Sequence, residues 1–258
     1  MSWEMVDEGW GRRAVDFSTL MEPGNCREYL AMHQRLGISG GERLLDVACG
    51  SGLSIELARI RGAVCAGIDA STRLVDVAKR RNPDCDIRVG DMSALPWDDG
   101  SFDIVTSFRG IWGTTPEAVT EARRVLVPGG RLAMTVWGDV GKSPGGWMFA
   151  PFLWATDESV QHQADMVALG RPGVGEAFLA ERGFEVADRF EISFVIECAD
   201  PQLYARGLAS SGPAYEAIQR IGEPEFLTRA AALAQDHVQE GLPLRGVIQL
   251  FGYVGTKR

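Results

Sequence analysis

From Arg43 to Trp137 the sequence switches between short apolar runs and longer amphipathic ones, and that alternation limits the fold more than any other feature. The runs "RLLDVA", "AVCAGIDA", "DIRVGD", "FDIVTSF" and "RLAMTVWG" read as strands. Between them "LSIELARIRG", "STRLVDVAKRRN" and "PEAVTEARRVLV" read as helices. Ser71 is placed to cap the second helix, and Asn82-Pro83 closes it. Pro116 opens the third, and "PGG" is expected to end it. Strands apolar on both faces and separated by helices predict a parallel sheet covered on both sides. In such sheets ligands gather at the carboxyl ends of the strands, where the strand order reverses.

The flanks are less regular. In "CREYLAMHQRLGI" the apolar positions Tyr29, Leu30, Met32 and Leu36 recur at near-helical spacing, and "SGGE" then breaks the chain. After Gly138 comes a stretch rich in glycine, proline and aromatics, "GKSPGGWMFAPFLWA". A helix and a long strand follow in "GVGEAFLAERGFEVADRFEISFVIE", then two or more helices over 201–240, then a closing strand, "LRGVIQLFGYVGTK". The last two strands are joined without a classical crossover, which predicts an antiparallel edge added to the parallel sheet. One compact domain is expected, in three parts: a helical N-terminal lid (1–40), a ligand-binding core (41–138), and a substrate cap with the last sheet strands (139–258).

Composition removes several function classes. The 26 basic residues face 35 acidic ones, a net charge of −9, and the basic pairs are scattered. A nucleic-acid enzyme needs a basic stripe to neutralise phosphates, so no nucleic-acid partner is expected. The five cysteines are widely spaced without a CxxC pair, and the histidines lie far from any cysteine cluster. That pattern suits reduced thiols, not disulfides or a zinc site, and no metal is expected. No stretch approaches the roughly 18 apolar residues of a membrane span, and "MSWEMVDEGW" lacks the apolar core of a signal peptide. A cytoplasmic protein is the expectation.

The loop in "LLDVACGSGLSIELA" asks what lies against its glycines. A phosphate-binding P-loop needs GxxxxGK[ST], and no lysine follows here. A dinucleotide fingerprint needs a third small residue, where this chain has Ile55. Asp46, four residues before Gly50, is a poor neighbour for pyrophosphate and suits a sulfonium or ammonium. Two more acids end the next strands. Asp69 can accept both hydroxyls of a ribose, and Asp91 can accept from an adenine amino group while the Met92 backbone donates to the ring. The set outlines an adenosine bearing a cationic tail.

"LLDVACGSG", "GIDAS", "GDMSALPWDDGSFDIV" and "EARRVLVPGGRL" resemble the successive motifs of class I S-adenosylmethionine-dependent methyltransferases, in the ubiquinone-type and small-molecule branch. The match covers about residues 40–137. The resemblance implies a Rossmann-like, doubly wound α/β fold with a seven-stranded sheet in the order 3-2-1-4-5-7-6, strand 7 antiparallel. It also implies S-adenosyl-L-methionine as cofactor. By position, Asp46, Ala48, Gly50, Ser51 and Gly52 would line its methionine part. Asp69 would hold the ribose with Ala70 beside the adenine, which Asp91 and Met92 would fix. Ser107 would offer its carbonyl near the methionyl amine, with Phe108 facing the cleft.

The acceptor is less legible. Methyl transfer is an in-line displacement, and a base is needed only where the nucleophile must lose a proton. His162 and Arg109 are the candidates for catalysis, Arg109 either orienting an anionic substrate or pairing with an acid. His33 lies in the helix that often covers the active site in this family, and His237 falls in a late helix. For all three histidines a surface position is the default. Trp147, Phe149, Phe152 and Trp154 form either a substrate wall or the cap's own core, and Cys49 reads as small filler. No amino-methylating Asn/Asp-Pro-Pro-Tyr motif is present, since "SFRG" occupies its place. A small, partly apolar acceptor is expected. The alternatives are a non-catalytic S-adenosylmethionine-binding regulatory or partner subunit, and, further off, a dehydrogenase.

Overall fold

The computed structural model describes residues 6–155 and 167–258. Five strands alternate with helices in the first half, in the order the sequence pattern predicts. They are β1 (Arg43–Val47), β2 (Val64–Asp69), β3 (Asp86–Val89), β4 (Phe102–Phe108) and β5 (Leu126–Trp137). The long β6 (Phe184–Cys198) and β7 (Leu244–Lys257) complete one sheet in the order β3-β2-β1-β4-β5-β7-β6. β7 runs antiparallel to both β5 and β6. The antiparallel strand is therefore not the edge that the missing classical crossover suggested: β7 lies inside the sheet, between β5 and β6, and β6 forms the edge.

Local chemistry explains the helix boundaries. A single turn, α1 (Ala14–Asp16), precedes α2 (Cys26–Leu36), which stops at Gly37 in the left-handed region. α3 (Leu53–Ile60) follows the glycine loop. In α4 (Thr72–Arg81) the Ser71 hydroxyl accepts from the Leu74 amide, and Lys79, Arg80 and Arg81 face the carbonyl end of the helix dipole. α5 (Pro116–Val125) begins with proline at its first turn. It ends before "PGG" is reached, because Leu126 is already extended and opens β5. α6 (Val174–Ala180) leads into β6. The stretch 201–240 yields three helices, α7 (Pro201–Ala209), α8 (Gly212–Ile221) and α9 (Glu223–Gln235).

Each central strand points successive side chains to opposite faces, and both faces are buried. Leu44, Ile104, Ala133 and Leu250 pack under α2, α3 and the late helices. Leu45, Val105, Leu132 and Tyr253 pack under α5 and α6. Each leucine, isoleucine or valine among them, taken fully out of water, contributes about 1.5–3 kcal/mol. Residues 139–155 and α7–α9 join the first of these layers, above the same sheet face as α2. No helix among the described residues is long and apolar enough to cross a membrane.

Candidate active site

Strand order reverses between β1 and β4, and the glycine loop leaves β1 at that point. Ala48, Gly50 and Gly52 all have positive φ, turning the chain sharply into α3. At Gly52 a Cβ would stand 2.9 Å from the Ala78 Cβ and 2.9 Å from Asn82 Nδ2. Asn82 Nδ2 donates to the Gly52 carbonyl at 2.9 Å, so α4 clamps the loop from behind. Ile55, too large for the dinucleotide pattern, is fully buried. Room for it comes from β2, where a Cβ on Gly67 would fall 2.6 Å from its methyl. The close approach of helix to sheet is thus obtained from the strand side.

Three carboxylates surround this loop. Asp46 is 1% exposed, and the Thr106 hydroxyl donates to it at 2.6 Å. Burial pushes its carboxyl up to about 7, against the hydrogen bonds from Thr106 and Ser54. Asp69 is also buried and accepts the Gly50 amide on one oxygen and the Ser71 amide on the other, both at 2.8 Å. Burial raises its carboxyl too. The third is Glu22, which accepts from the Ser51 hydroxyl and pairs with Arg81. It is 1% exposed, and burial raises its carboxyl as well. Among the described residues Arg81 is the one guanidinium bonded to this trio, so Asp46 and Asp69 have no cationic partner in a poorly hydrated place. A cation fits there and a pyrophosphate does not.

The remaining cofactor residues of the sequence reading fall around the same strand ends. Ser51 is fully buried, and Ala70 follows Asp69 part-exposed. The Gly90 amide donates to the Asp69 carbonyl at 3.0 Å, tying the end of β3 to the end of β2. Just beyond, Asp91 accepts the Ser93 amide on Oδ1, and Met92 packs against the core under α5. Ser107 is fully buried, and its Oγ has no hydrogen-bond partner. Phe108 stands edge-on to Tyr29 and His33, with centroids 4.6 and 5.9 Å away. Cys49 is buried, and burial raises its thiol well above the ordinary range, as inert filler requires.

Of the predicted N-terminal lid, residues 7–25 form a strap of short helical turns over the loop. The Phe17 ring comes within 3.5 Å of the point a Gly50 Cβ would occupy. Asp7 accepts from the Ser71 hydroxyl and from Arg73, and Arg13 pairs with Glu223 across the molecule. Nothing in the spacing of "LMEPGN" marks Glu22 as a site residue; only the strap's path brings it to Ser51.

The acceptor-side candidates divide. Arg109 realises the pairing option: its guanidinium meets the fully buried Glu28 at 3.0 Å, and the Thr135 hydroxyl donates to the same carboxylate. His33 is not on the surface. It is fully buried, its Nε2 3.4 Å from Ser54 Oγ, and burial lowers its pKa to about 4. His237 lies in the turn after α9, outside the helix, and stacks on Trp147 at 3.8 Å. His162 lies outside the described residues. The aromatic stretch packs largely on itself and its neighbours: Phe149 on Phe152 and Trp137, Trp154 on Phe226, Trp147 on Tyr204.

Comparison with known proteins agrees with this geometry. Residues 45–134 match a family model described as a methyltransferase domain. A demethylmenaquinone methyltransferase of Renibacterium salmoninarum is 41% identical over 101 residues, 38% of this chain and 43% of that protein. The 27-O-demethylrifamycin SV methyltransferase of Amycolatopsis mediterranei is 32% identical over 145 residues, 51% of this chain and 53% of its own. The chain thus spans about half the length of these relatives. Among solved structures, the [4+2]-cyclase SpnF superposes with a TM-score of 0.58 at 23% identity, covering 96% of this chain and 86% of its own. A geranyl diphosphate C-methyltransferase of Streptomyces coelicolor gives 0.53 at 17%, over 90% and 75%. The structural likenesses speak for the fold, and the sequence matches for the domain: residues 45–134 of this chain are a methyltransferase domain.

Proposed function

We propose that this protein transfers a methyl group from S-adenosylmethionine to a small, partly apolar acceptor. The observation that carries the reading is the acid cluster at the glycine loop, where Asp46, Asp69 and Glu22 are buried with one guanidinium between them. The unpartnered Ser107 hydroxyl beside it is a further polar group suited to a ligand. In this reading Asp46, Ala48, Gly50, Ser51 and Gly52 surround the methionyl part, and Ser107 and Phe108 close its amino end. Asp69 and Ala70 meet the ribose and its base, and Asp91 and Met92 hold the adenine. When bound, the cofactor supplies a methyl carbon whose bond to sulfur breaks as the acceptor attacks from the opposite side. The chain's own contribution is alignment and exclusion of water, for which the buried Tyr29 and half-buried Phe108 form one wall.

The small-molecule reading rests on relatives that act on demethylmenaquinone and a rifamycin, together with the excess of acid over base. The three-part division follows from it: a strap over the loop, a core of β1–β5, and a cap from residue 139 onward. Calorimetric titration with S-adenosylmethionine tests the proposal. Micromolar one-to-one binding is expected, weakened about tenfold by Asp91→Ala, which removes one hydrogen bond to a charged group. Binding of a nicotinamide dinucleotide with none of S-adenosylmethionine would overturn it.

A further inference from the structure

Behind the glycine loop three buried polar groups stand in a row: Asp46 near the end of β1, Ser54 in the first turn of α3, and His33 on α2. Asp46 accepts the Thr106 hydroxyl on Oδ1 at 2.6 Å and a second hydrogen bond from Ser54. Ser54 Oγ also lies 3.4 Å from His33 Nε2. The other ring nitrogen, Nδ1, is buried and has no hydrogen-bond partner among the described residues.

A hydroxyl has one proton to give, and a neutral imidazole has one to place. Ser54 therefore cannot donate to Asp46 and to His33 at once. When it donates to the Asp46 carboxylate, its oxygen can only accept from the ring, and the imidazole proton belongs on Nε2. When Asp46 is protonated and donates to Ser54, the hydroxyl turns to Nε2, and the ring proton belongs on Nδ1. No described group at Nδ1 prefers either form, so the tautomer is decided by what Ser54 presents to Nε2. The Thr106 hydroxyl has no such alternative, since Asp46 is its one hydrogen-bond partner among the described residues. Surrounding charges act on the two ends of the row. Glu22 of the strap and Asp69 of β2 face Asp46 and favour its proton, while Arg61, just past α3, faces His33 and disfavours an imidazolium.

We propose that Asp46, Ser54 and His33 form a proton relay that empties Asp46 when a cation enters the glycine loop. The Asp46 O–H bond breaks as its proton passes to Ser54 Oγ, and the proton that Ser54 held passes to His33 Nε2. The ring then gives up its Nδ1 proton to solvent. One proton leaves in all, and His33 ends neutral as the Nε2–H tautomer. Asp46 is left ionised, with both hydroxyls donating to it and the cation as its counter-charge. Ser54 and His33 are positioning residues, acting on the ligand through the Asp46 carboxylate. The inference rests on the methyl-donor reading for the identity of the cation, but the same row answers to base alone.

The test is nitrogen-15 NMR of the full chain labelled in its histidines, where protonated and bare ring nitrogens give distinct shifts. His33 is assigned by the signal absent from His33→Gln. A pH of 5.5 lies between the values of about 4 for His33 and about 7 for Asp46, and the ligand-free ring should there be mainly Nδ1–H. Saturating S-adenosylmethionine at that pH should turn it mainly to Nε2–H, and so should raising the ligand-free protein to pH 8.5. Asp46→Asn, whose NH2 donates to Ser54 at every pH, should hold the ring as Nδ1–H at both pH values. Ser54→Ala should abolish the response to ligand and to pH alike. A tautomer that never changes, that follows pH but not bound ligand, or that still changes in either variant sinks the relay. If S-adenosylmethionine does not bind the wild type, the methyl-donor reading fails, and the pH arm decides the relay by itself.

Discussion

Replacing Asp46 by asparagine should make the protein more stable and a worse binder. In the folded chain burial moves the Asp46 carboxyl from its ordinary 3.8 to about 7. Between those values the folded state keeps a proton that the unfolded chain has released. The sign follows from linkage: the stabilising contribution is complete below pH 3.8 and is lost as pH rises through 7. A displacement of about three pH units at about 1.4 kcal/mol each costs about 4 kcal/mol at pH 8. At pH 5 the loss is still under about 2 kcal/mol by the same arithmetic. Asparagine is neutral throughout. Its amide oxygen can accept from Thr106 as the carboxylate does, and its NH2 can donate to the Ser54 oxygen.

The advantage of Asp46→Asn over the wild type should therefore grow by about 3 kcal/mol between pH 5 and pH 8. For a chain of this size that is a relative rise in melting temperature of about 6–12 °C. Urea unfolding of both proteins at the two pH values measures it. S-adenosylmethionine should bind the variant at least tenfold more weakly, since the cation loses a buried counter-charge. Wild-type affinity should also fall below pH 7, as the carboxyl must release its proton to receive a cation. A variant less stable than the wild type by the same margin at both pH values would refute the reasoning. Asp46 would then be ionised and held by its hydrogen bonds.

Other perturbations have equally definite outcomes. His33 is held neutral by burial with its pKa lowered to about 4, so stability is lost as pH falls from 6.5 through 4. His33→Gln should remove about 3 kcal/mol of that acid loss, and an unchanged acid limb in urea unfolding would show that His33 does not contribute to it. Gly52→Ala places a Cβ against Ala78 and Asn82 in the left-handed region, and should cost about 2–4 kcal/mol as well as cofactor affinity. Glu22→Ala strips Arg81 of its buried partner, costing about 2 kcal/mol once the partial exposure of Arg81 is allowed for. It should also speed hydrogen exchange across residues 7–25; unchanged exchange would mean that the strap is fastened elsewhere.

Periodicity carried the fold because each element obeys a local rule. Alternating apolar pairs such as Leu44–Leu45 and Ile104–Val105 mark strands buried on two faces, and Ser71 and Pro116 mark helix starts. The placement of Asp46, Asp69 and Asp91 at or just past strand ends was legible for the same reason, since the end of a parallel strand has a fixed place in such a sheet. The inward position of His33 was legible too, though the surface default obscured it. It follows Tyr29 by four residues and precedes Leu36 by three, on the helix face that those residues bury. Glu22 and Glu28 were not legible. Each reaches the strand ends through a partner more than fifty residues away in sequence, Arg81 and Arg109, and no local spacing encodes that meeting. Gly67 was hidden similarly, because its purpose appears only when Ile55 is laid across it.

The two distant pairs also show what the N-terminal layer does. A buried ion pair adds little net stability, because desolvating both charges offsets their attraction, whereas removing one partner is costly. Glu22–Arg81 and Glu28–Arg109 therefore hold position more than they hold the fold together. One ties the strap to α4 behind the glycine loop; the other ties α2 to the turn after β4, beyond the same loop. They bracket the reversal of strand order, one behind the glycine loop and one just past β4. A helical layer resting only on Met32, Leu36 and their apolar neighbours could slide by a fraction of a turn at small cost. Two charges that must each meet a fixed guanidinium permit one registration. That registration sets the depth of the loop beneath Phe17 and the position of the Arg109 side chain together, so the turns after β1 and β4 are placed by the layer above the sheet as much as by the strand ends beneath it.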